Sequence, residues 1–89
     1  MDGKGQTLQR VLEKTGRACR DARVNAGVSL LGMAGYLQAD KSTISRFEHG
    51  QINSLWIFLG YVDLMGHSNF RTFMSDMSDF IWEEAQKNG

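Results

Sequence analysis

The chain has 89 residues, with ten Lys and Arg, ten Asp and Glu, and 42% hydrophobic residues. This length is enough for one small hydrophobic core, so we expect no separate catalytic domain beside it. Because the sequence has neither a run of about 18 apolar residues nor an apolar signal core at its start, we expect a cytoplasmic protein rather than a secreted or membrane-spanning one.

The charges are unevenly distributed along the chain. Residues 1–50 hold eight Lys and Arg and five Asp and Glu, a balance of +3, whereas residues 51–89 hold two and five, a balance of −3. A positive excess this small predicts few phosphate contacts. Binding to any polyanion would therefore depend on a defined site and a dimer more than on bulk electrostatic attraction.

The first predicted elements are a flexible N-terminus and a long helix. Residues 1–6 contain two glycines and few apolar groups, so they have little to bury. The helix is predicted over Thr7 to Asn25 from its apolar stripe, with Gly16 as a candidate kink or division point. Cys19 lies on the apolar face, and as the only cysteine it is interpreted as a reduced packing thiol.

Two short helices with a tight connection at residues 38–40 follow in the sequence. Ser29 is a candidate N-cap of the first of them. Asp40 is a candidate N-cap of the second, because its carboxylate can accept the free amides of a helix that begins at Lys41. Gly50 can take the left-handed conformation that stops this helix. The pattern predicts a helix-turn-helix.

Small residues indicate a close helix contact in the first short helix. Gly32 and Gly35 each cost roughly 1 kcal/mol relative to alanine inside a helix, which favours a packing reason for them. We expect Ala34 and Gly35 to let the next helix approach closely. The Gly32–Gly35 spacing also matches a phosphate-binding GXXG loop, but it lies inside a predicted helix without a flanking strand, so we interpret it as a packing motif.

The second short helix has two different faces. Ile44 and Phe47 lie three residues apart on a packing face. The opposite face carries Lys41, Ser42, Ser45 and Arg46. We predict that this face is free to contact base edges, since Lys and Arg side chains can donate to guanine O6 and N7.

The C-terminal half contains two predicted apolar helices, Ser54 to Met65 and Asn69 to Gln86. The second has an apolar stripe with Trp82 outside it, and its carboxylates, Glu84 among them, are interpreted as a solvated face. Core packing is one interpretation of the stripe. The other is a homodimer interface, because large exposed apolar patches usually mark contacts. The candidate dimer residues are Trp56, Phe70, Phe73, Met74, Met77, Phe80, Ile81 and Trp82.

The segment Gly27–Gly50, GVSLLGMAGYLQADKSTISRFEHG, resembles the xenobiotic-response-element-type helix-turn-helix domain of phage repressors, Cro proteins and many bacterial regulators. The similarity is gapless, and its specific points are Ser29, Met33-Ala34, Ser42 to Arg46, Glu48 and Gly50. It extends over about Arg17–Gly66. It implies an all-α, five-helix lambda-repressor-like fold, with residues 7–68 as the DNA-binding domain and residues 69–89 as a C-terminal helix for packing or dimerisation.

The resemblance also assigns roles to individual residues. Arg23 and Glu48 match a family pair that forms a partly buried salt bridge. Two departures weaken details of the pattern, since Leu30 replaces a glutamine that binds a phosphate and Asn53 replaces a proline. The predicted base-reading residues are Lys41, Ser42, Thr43, Ser45 and Arg46. The predicted phosphate contacts are Ser29, His49, Gly50, Gln51 and Asn53.

These observations predict a sequence-specific DNA-binding regulator, most simply a small phage- or prophage-type repressor that binds an inverted-repeat operator as a homodimer. The alternative is a protein-interaction module, such as an antitoxin or anti-repressor partner, that uses the aromatic C-terminal half to bind another regulatory protein. No catalytic residues or cofactor site are predicted. No metal site is predicted either, because His49 and His67 lack partners at metal-ligand spacing.

Overall fold

The computed structural model describes residues 3–87, whose regular structure is entirely helical. The four helices are α1 (Gly3–Asn25), α2 (Leu30–Leu37), α3 (Lys41–Glu48) and α4 (Leu55–Lys87). The all-α prediction is therefore confirmed. Within the described residues, no helix combines the length and the apolar character that a membrane crossing needs.

The predicted count of five helices differs from the four in the structure, because the fourth and fifth predicted helices are both part of α4. The chain contains no proline that would end the first of them. Instead α4 is kinked at Gly66, whose φ of 77° and ψ of 163° are not helical. This region of backbone conformation is essentially restricted to glycine. The Asn69 side-chain amide donates to the Met65 carbonyl at 3.1 Å, next to the break.

The N-terminal boundary also differs from the prediction. Helix α1 begins at Gly3, so residues 3–6 of the predicted flexible segment are helical, and residues 1–2 lie outside the described part of the chain. No proline or competing cap stops the helix before Thr7, so its hydrogen-bonded turns continue toward the N-terminus. Gly16 does not divide α1, which is one helix through Asn25.

The ends of the short helices show which predicted caps form. The Ser29 hydroxyl accepts a hydrogen bond from the Gly32 amide at 2.9 Å, as expected for an N-cap. Asp40 occupies the N-cap position of α3, but its carboxylate forms no capping hydrogen bond, so that detail of the prediction was wrong. Its backbone carbonyl accepts the amides of Thr43 at 3.0 Å and Ile44 at 3.1 Å. These backbone bonds start α3 without the side chain.

The core lies where α1, α2, α3 and the first part of α4 meet. Phe47 of α3 stacks on Tyr61 of α4, with ring centroids 5.6 Å apart and an interplanar angle of 11°. Cys19 contributes a fully buried side chain from α1, as the sequence predicts. The buried cluster consists of Cys19, Met33, Ala34, Leu37, Ile44, Phe47, Ile57, Tyr61 and Met65.

The part of α4 that follows Gly66 packs along α1. Arg10 donates from Nη1 to Glu84 Oε1 at 2.9 Å, and the Lys14 ammonium lies 5.1 Å from the centroid of the Phe80 ring. Glu84 is only 4% exposed, so its interpretation as part of a solvated face was wrong. Arg10, followed by Lys87, holds the pKa of this carboxyl below its ordinary value through hydrogen bonds.

Two glycines in helices have opposite surroundings, which predicts opposite effects of alanine. A Cβ at Gly16 would lie 2.7 Å from the Phe47 carbonyl oxygen and closer still to that of Glu48, whereas a Cβ at Gly35 would meet nothing within 4 Å. The expected close-packing role of Gly35 was therefore wrong. We expect Gly35→Ala to stabilise the fold by about 0.5–1 kcal/mol through helix propensity. Gly16→Ala should destabilise it by about 2 kcal/mol, because two backbones must separate.

Urea unfolding of both variants, followed by circular dichroism, measures these changes. Since the substitution is identical and both sites are helical, the pair separates helix propensity from packing. Equal effects of the two substitutions would contradict the close contact between α1 and α3 at Gly16.

Candidate nucleic-acid interface

One side of α3 is fixed in the core. Ile44 is fully buried, and Phe47 and Glu48 are 4% and 6% exposed. These residues recur at the three- and four-residue steps that define one face of a helix. Contacts on α1, α2 and α4 therefore fix the rotation of α3 about its own axis, which determines the side chains that face solvent.

The opposite side of α3 carries the predicted base-reading residues. Lys41, Ser42 and Arg46 are exposed, and Thr43 and Ser45 are half-buried. Within residues 3–87, neither Lys41 nor Arg46 has an ion pair with a carboxylate. Lys41 also stands at the first position of α3, where the helix dipole disfavours a cation. The structure thus brings the five side chains to one short helix, with two unneutralised cations among them.

Two of the predicted phosphate contacts keep an accessible polar group. Ser29 is exposed, and although its hydroxyl oxygen accepts the Gly32 amide, its O–H remains able to donate. His49 is also exposed, and its Nδ1 lies 2.7 Å from the Ser45 carbonyl oxygen. This contact makes Nδ1 the donor, so that Nε2 donates to a phosphate only in the imidazolium form.

Gly50 does not suit the predicted phosphate contact. It is buried, its N–H donates to the Phe47 carbonyl at 3.1 Å, and its carbonyl accepts from the Gln9 side chain at 3.3 Å. Its φ of 74° shows instead that it ends α3 in the left-handed conformation. The backbone N–H of Gln51 donates to the Arg46 carbonyl at 2.8 Å, so only the exposed side-chain amide of Gln51 can donate to a phosphate.

Two residues where the sequence departs from the family pattern differ in exposure. Asn53 is exposed, so its side-chain amide remains accessible to a phosphate. Leu30 is half-buried and packs against the core at the start of α2. An apolar side chain in this position cannot replace the phosphate contact of a glutamine, so the start of α2 offers only backbone groups and the Ser29 hydroxyl there.

Arg23 and Glu48 form a buried, two-pronged ion pair between α1 and α3. The Arg23 guanidinium donates from Nε to Oε2 at 2.7 Å and from Nη2 to Oε1 at 3.0 Å. Its Nη1 also donates to the Val28 carbonyl at 2.8 Å, at the loop before α2. Tyr61 donates its hydroxyl to Glu48 Oε2 at 2.5 Å. One carboxylate therefore connects α3 to both α1 and α4.

This network holds α3 in place, because the Glu48 carboxylate at the end of α3 accepts hydrogen bonds from Arg23 of α1 and from Tyr61 of α4. Hydrogen bonding to Glu48 raises the pKa of Arg23, so the guanidinium stays charged. Burial, followed by hydrogen bonding to Glu48, raises the pKa of Tyr61. Tyr61 is the member of the network that sequence reasoning missed. Its apolar neighbours in the sequence mark it as a core residue but do not indicate a polar partner.

Stability should fall at alkaline pH because burial, followed by the nearby Glu48 charge, raises the pKa of the Cys19 thiol from 9.0 to about 12. The folded state holds this proton more tightly than the unfolded state does. The resulting stabilisation is fully present below about pH 9 and is lost as pH rises toward 12, by up to about 1.4 kcal/mol per pH unit. Tyr61 adds to the loss above its ordinary pKa of 10.0.

Urea unfolding at pH 8, 9 and 10 tests this dependence. We expect the free energy of unfolding of the wild type to decline between pH 9 and 10. The free energy of unfolding of Cys19→Ala should be lower at every pH but should decline less over this range. A wild-type free energy that stays constant from pH 8 to 10 would contradict a buried, protonated thiol.

The eight predicted dimer residues divide into two groups in the structure. Met77 is 4% exposed, and Phe70 and Phe73 pack against the core, so these side chains stabilise the monomer. Phe80 is half-buried under Lys14. The exposed members are Trp56, Met74, Ile81 and Trp82.

Sequence reasoning missed further exposed apolar side chains beside Trp56. Leu55 and Leu59 are 70% and 55% exposed, and they lie four residues apart on α4. The exposed Tyr36 of α2 donates its hydroxyl to Asp63, a further four residues along α4, at 3.0 Å. We call Leu55, Trp56 and Leu59 the α4 apolar patch. Because the first turns of α4 are apolar on most sides, the sequence does not indicate which side is exposed to solvent.

The described residues contain no group of three or more His, Cys, Asp or Glu side chains placed to hold a metal ion. Comparison of the chain with protein-family models, with curated proteins and with solved structures found no match. The similarity of Gly27–Gly50 to the helix-turn-helix family therefore rests on the residues of that segment alone.

Proposed function

We propose that this chain is a sequence-specific DNA-binding transcriptional regulator with a lambda-repressor-like helix-turn-helix, in which α2 lies across the DNA backbone and α3 enters the major groove. The simplest case is a small phage- or prophage-type repressor that occupies a promoter. In that role Lys41 and Arg46 donate to guanines, and the half-buried Thr43 offers its methyl group to thymine.

The observation that supports this proposal best is the division of α3 into a buried face and a polar face. Ile44, Phe47 and Glu48 are fixed in the core, while Lys41 and Arg46 are exposed without carboxylate partners among the described residues. A recognition helix needs this combination, because bases are discriminated only by side chains held in a defined orientation.

A homodimer would extend recognition to two half-sites. A two-fold axis places two recognition helices about 34 Å apart, which matches one turn of DNA and predicts an inverted-repeat operator. The α4 apolar patch and the exposed Met74, Ile81 and Trp82 are the candidate surfaces for this contact. Covering them in a second copy would remove exposed apolar surface from water.

The second candidate function is a protein-interaction module, an antitoxin or anti-repressor partner, on the same scaffold. The observation that favours it is the core-packed Leu30 at the position where the family binds a phosphate, together with the buried Gly50. The α4 apolar patch would then bind another regulatory protein. Retention on heparin at low salt, with release as salt rises, separates the two functions, since only the DNA binder should be held.

Selection of random duplex DNA by the purified protein at about 0.15 M salt tests the proposal directly. We expect enrichment of an inverted repeat whose half-site centres are one helical turn apart. A folded protein that enriches no sequence would reject the DNA-binding function and direct the search to a protein partner of the α4 apolar patch.

A further inference from the structure

A groove of about 500 Å³ lies between α1 and the middle of α4, on both sides of the kink at Gly66 and apart from the exposed face of α3. Its apolar lining includes Ala18 and Ala22 of α1 and Met65 and Phe73 of α4. The small alanine side chains leave space between the two helices at this end. At the other end, the Arg10–Glu84 ion pair and the Lys14–Phe80 contact hold the helices together.

The polar lining of this groove is acidic and rich in hydrogen-bond acceptors. Asp21 comes from α1 and Asp76 from α4, and both are exposed. None of the described lining residues is Lys, Arg or His, and neither carboxylate forms an ion pair within residues 3–87. Asn69 donates its amide to the Met65 carbonyl, which leaves its side-chain oxygen as a further acceptor. A ligand here meets apolar surface between two unneutralised negative charges.

We propose that this groove binds a small organic cation with an apolar, ring-sized body. The volume falls within the range of about 300–1,000 Å³ that is typical of small-molecule sites. The lining residues of α1 extend from Ala18 to Asn25, about 10 Å along the helix axis, which suits a compact ligand. An apolar body would cover Ala22 and Phe73, and an ammonium or amidinium group would donate to Asp21 and Asp76. This inference does not depend on DNA binding.

Titration of the ¹⁵N-labelled protein with tryptamine, followed by ¹H–¹⁵N correlation spectra, tests the site. We expect saturable shifts concentrated on residues 18–26 and 65–76. Tryptophol, in which a hydroxyl replaces the ammonium group, should bind about three- to tenfold more weakly, because it lacks the charge that the two exposed carboxylates recognise. The double variant Asp21→Asn with Asp76→Asn should weaken tryptamine binding by a similar factor.

Asp79→Asn is the matched control, because Asp79 is exposed on the same helix but does not line the groove. It should leave tryptamine affinity unchanged within about twofold. All three substituted residues are exposed, so thermal melts should show that each variant is folded. Absence of saturable shifts, equal affinity for tryptophol, or an equal loss in Asp79→Asn would each overturn the proposal. The titration uses no DNA, so its failure is independent of any failure to select an operator.

Discussion

Replacing Arg23 with alanine is expected to destabilise the fold by about 3 kcal/mol or more, enough to lower the melting temperature by over about 12 °C. The guanidinium satisfies both oxygens of Glu48 and the Val28 carbonyl, and both charged residues are less than 10% exposed. Its removal leaves a buried carboxylate with Tyr61 as its only remaining hydrogen-bond donor from the network. Thermal melting at pH 7 measures the loss.

Arg20→Ala is the control for this prediction. Arg20 is exposed on the same helix and forms no ion pair among the described residues, so its removal should change stability by less than about 0.5 kcal/mol. The double variant Arg23→Met with Glu48→Met should recover part of the stability, because it removes the unpaired charge as well. If Arg23→Ala melted within about 2 °C of the wild type, the ion pair would not hold α3 on α1.

The short helices were predictable because their signals are local. The Ser29 cap, the start of α3 at Lys41 and the left-handed Gly50 all follow from residue types within one or two turns. The division of α3 into buried and exposed faces follows from spacing alone, since Ile44 and Phe47 lie on one side of any helix there. The Arg23–Glu48 pair was inferred from the family resemblance, and the structure contains it.

The features that the sequence did not predict depend on contacts between distant segments. Glu84 looks like a surface carboxylate until Arg10, distant in the sequence, is placed beside it. Gly50 looks like a free backbone group until the turn after α3 packs on Glu13 of α1. In the sequence, Gly16 looks like a position where α1 could kink. Only the approach of α3 in the folded chain explains why a side chain is excluded there.

The candidate site was therefore predicted best where its residues are close together in the sequence. The predicted base-reading side chains lie together on α3 as expected from their spacing, whereas Gly50, one of the predicted phosphate contacts, is buried with its N–H already bonded. The dimer stripe shows the same limit. Periodicity identifies its apolar residues but cannot tell that Met77 is buried while Met74 and Ile81 are exposed.

Replacing Lys41 and Arg46 together with alanine should reduce affinity for the selected operator by roughly 100-fold or more, because each specific base contact contributes about 1–3 kcal/mol of discrimination. Neither side chain packs in the core, and Arg46, in the last turn of α3, contributes at most about 0.3–1 kcal/mol through the helix dipole. Both are exposed, and Lys41 opposes the helix dipole, so its loss should not lower the melting temperature. Fluorescence anisotropy with the selected duplex and with a scrambled duplex separates specific from non-specific binding.

The double variant Arg20→Ala with Arg71→Ala is the matched control, because it also removes two positive charges, but from exposed positions outside α3. If charge alone governs binding, the two double variants should weaken binding to both duplexes equally at the same salt concentration. If α3 reads the bases, the Lys41 and Arg46 variant should lose its preference for the operator, and the control should keep it. Full operator preference in the Lys41 and Arg46 variant would place recognition elsewhere on the protein.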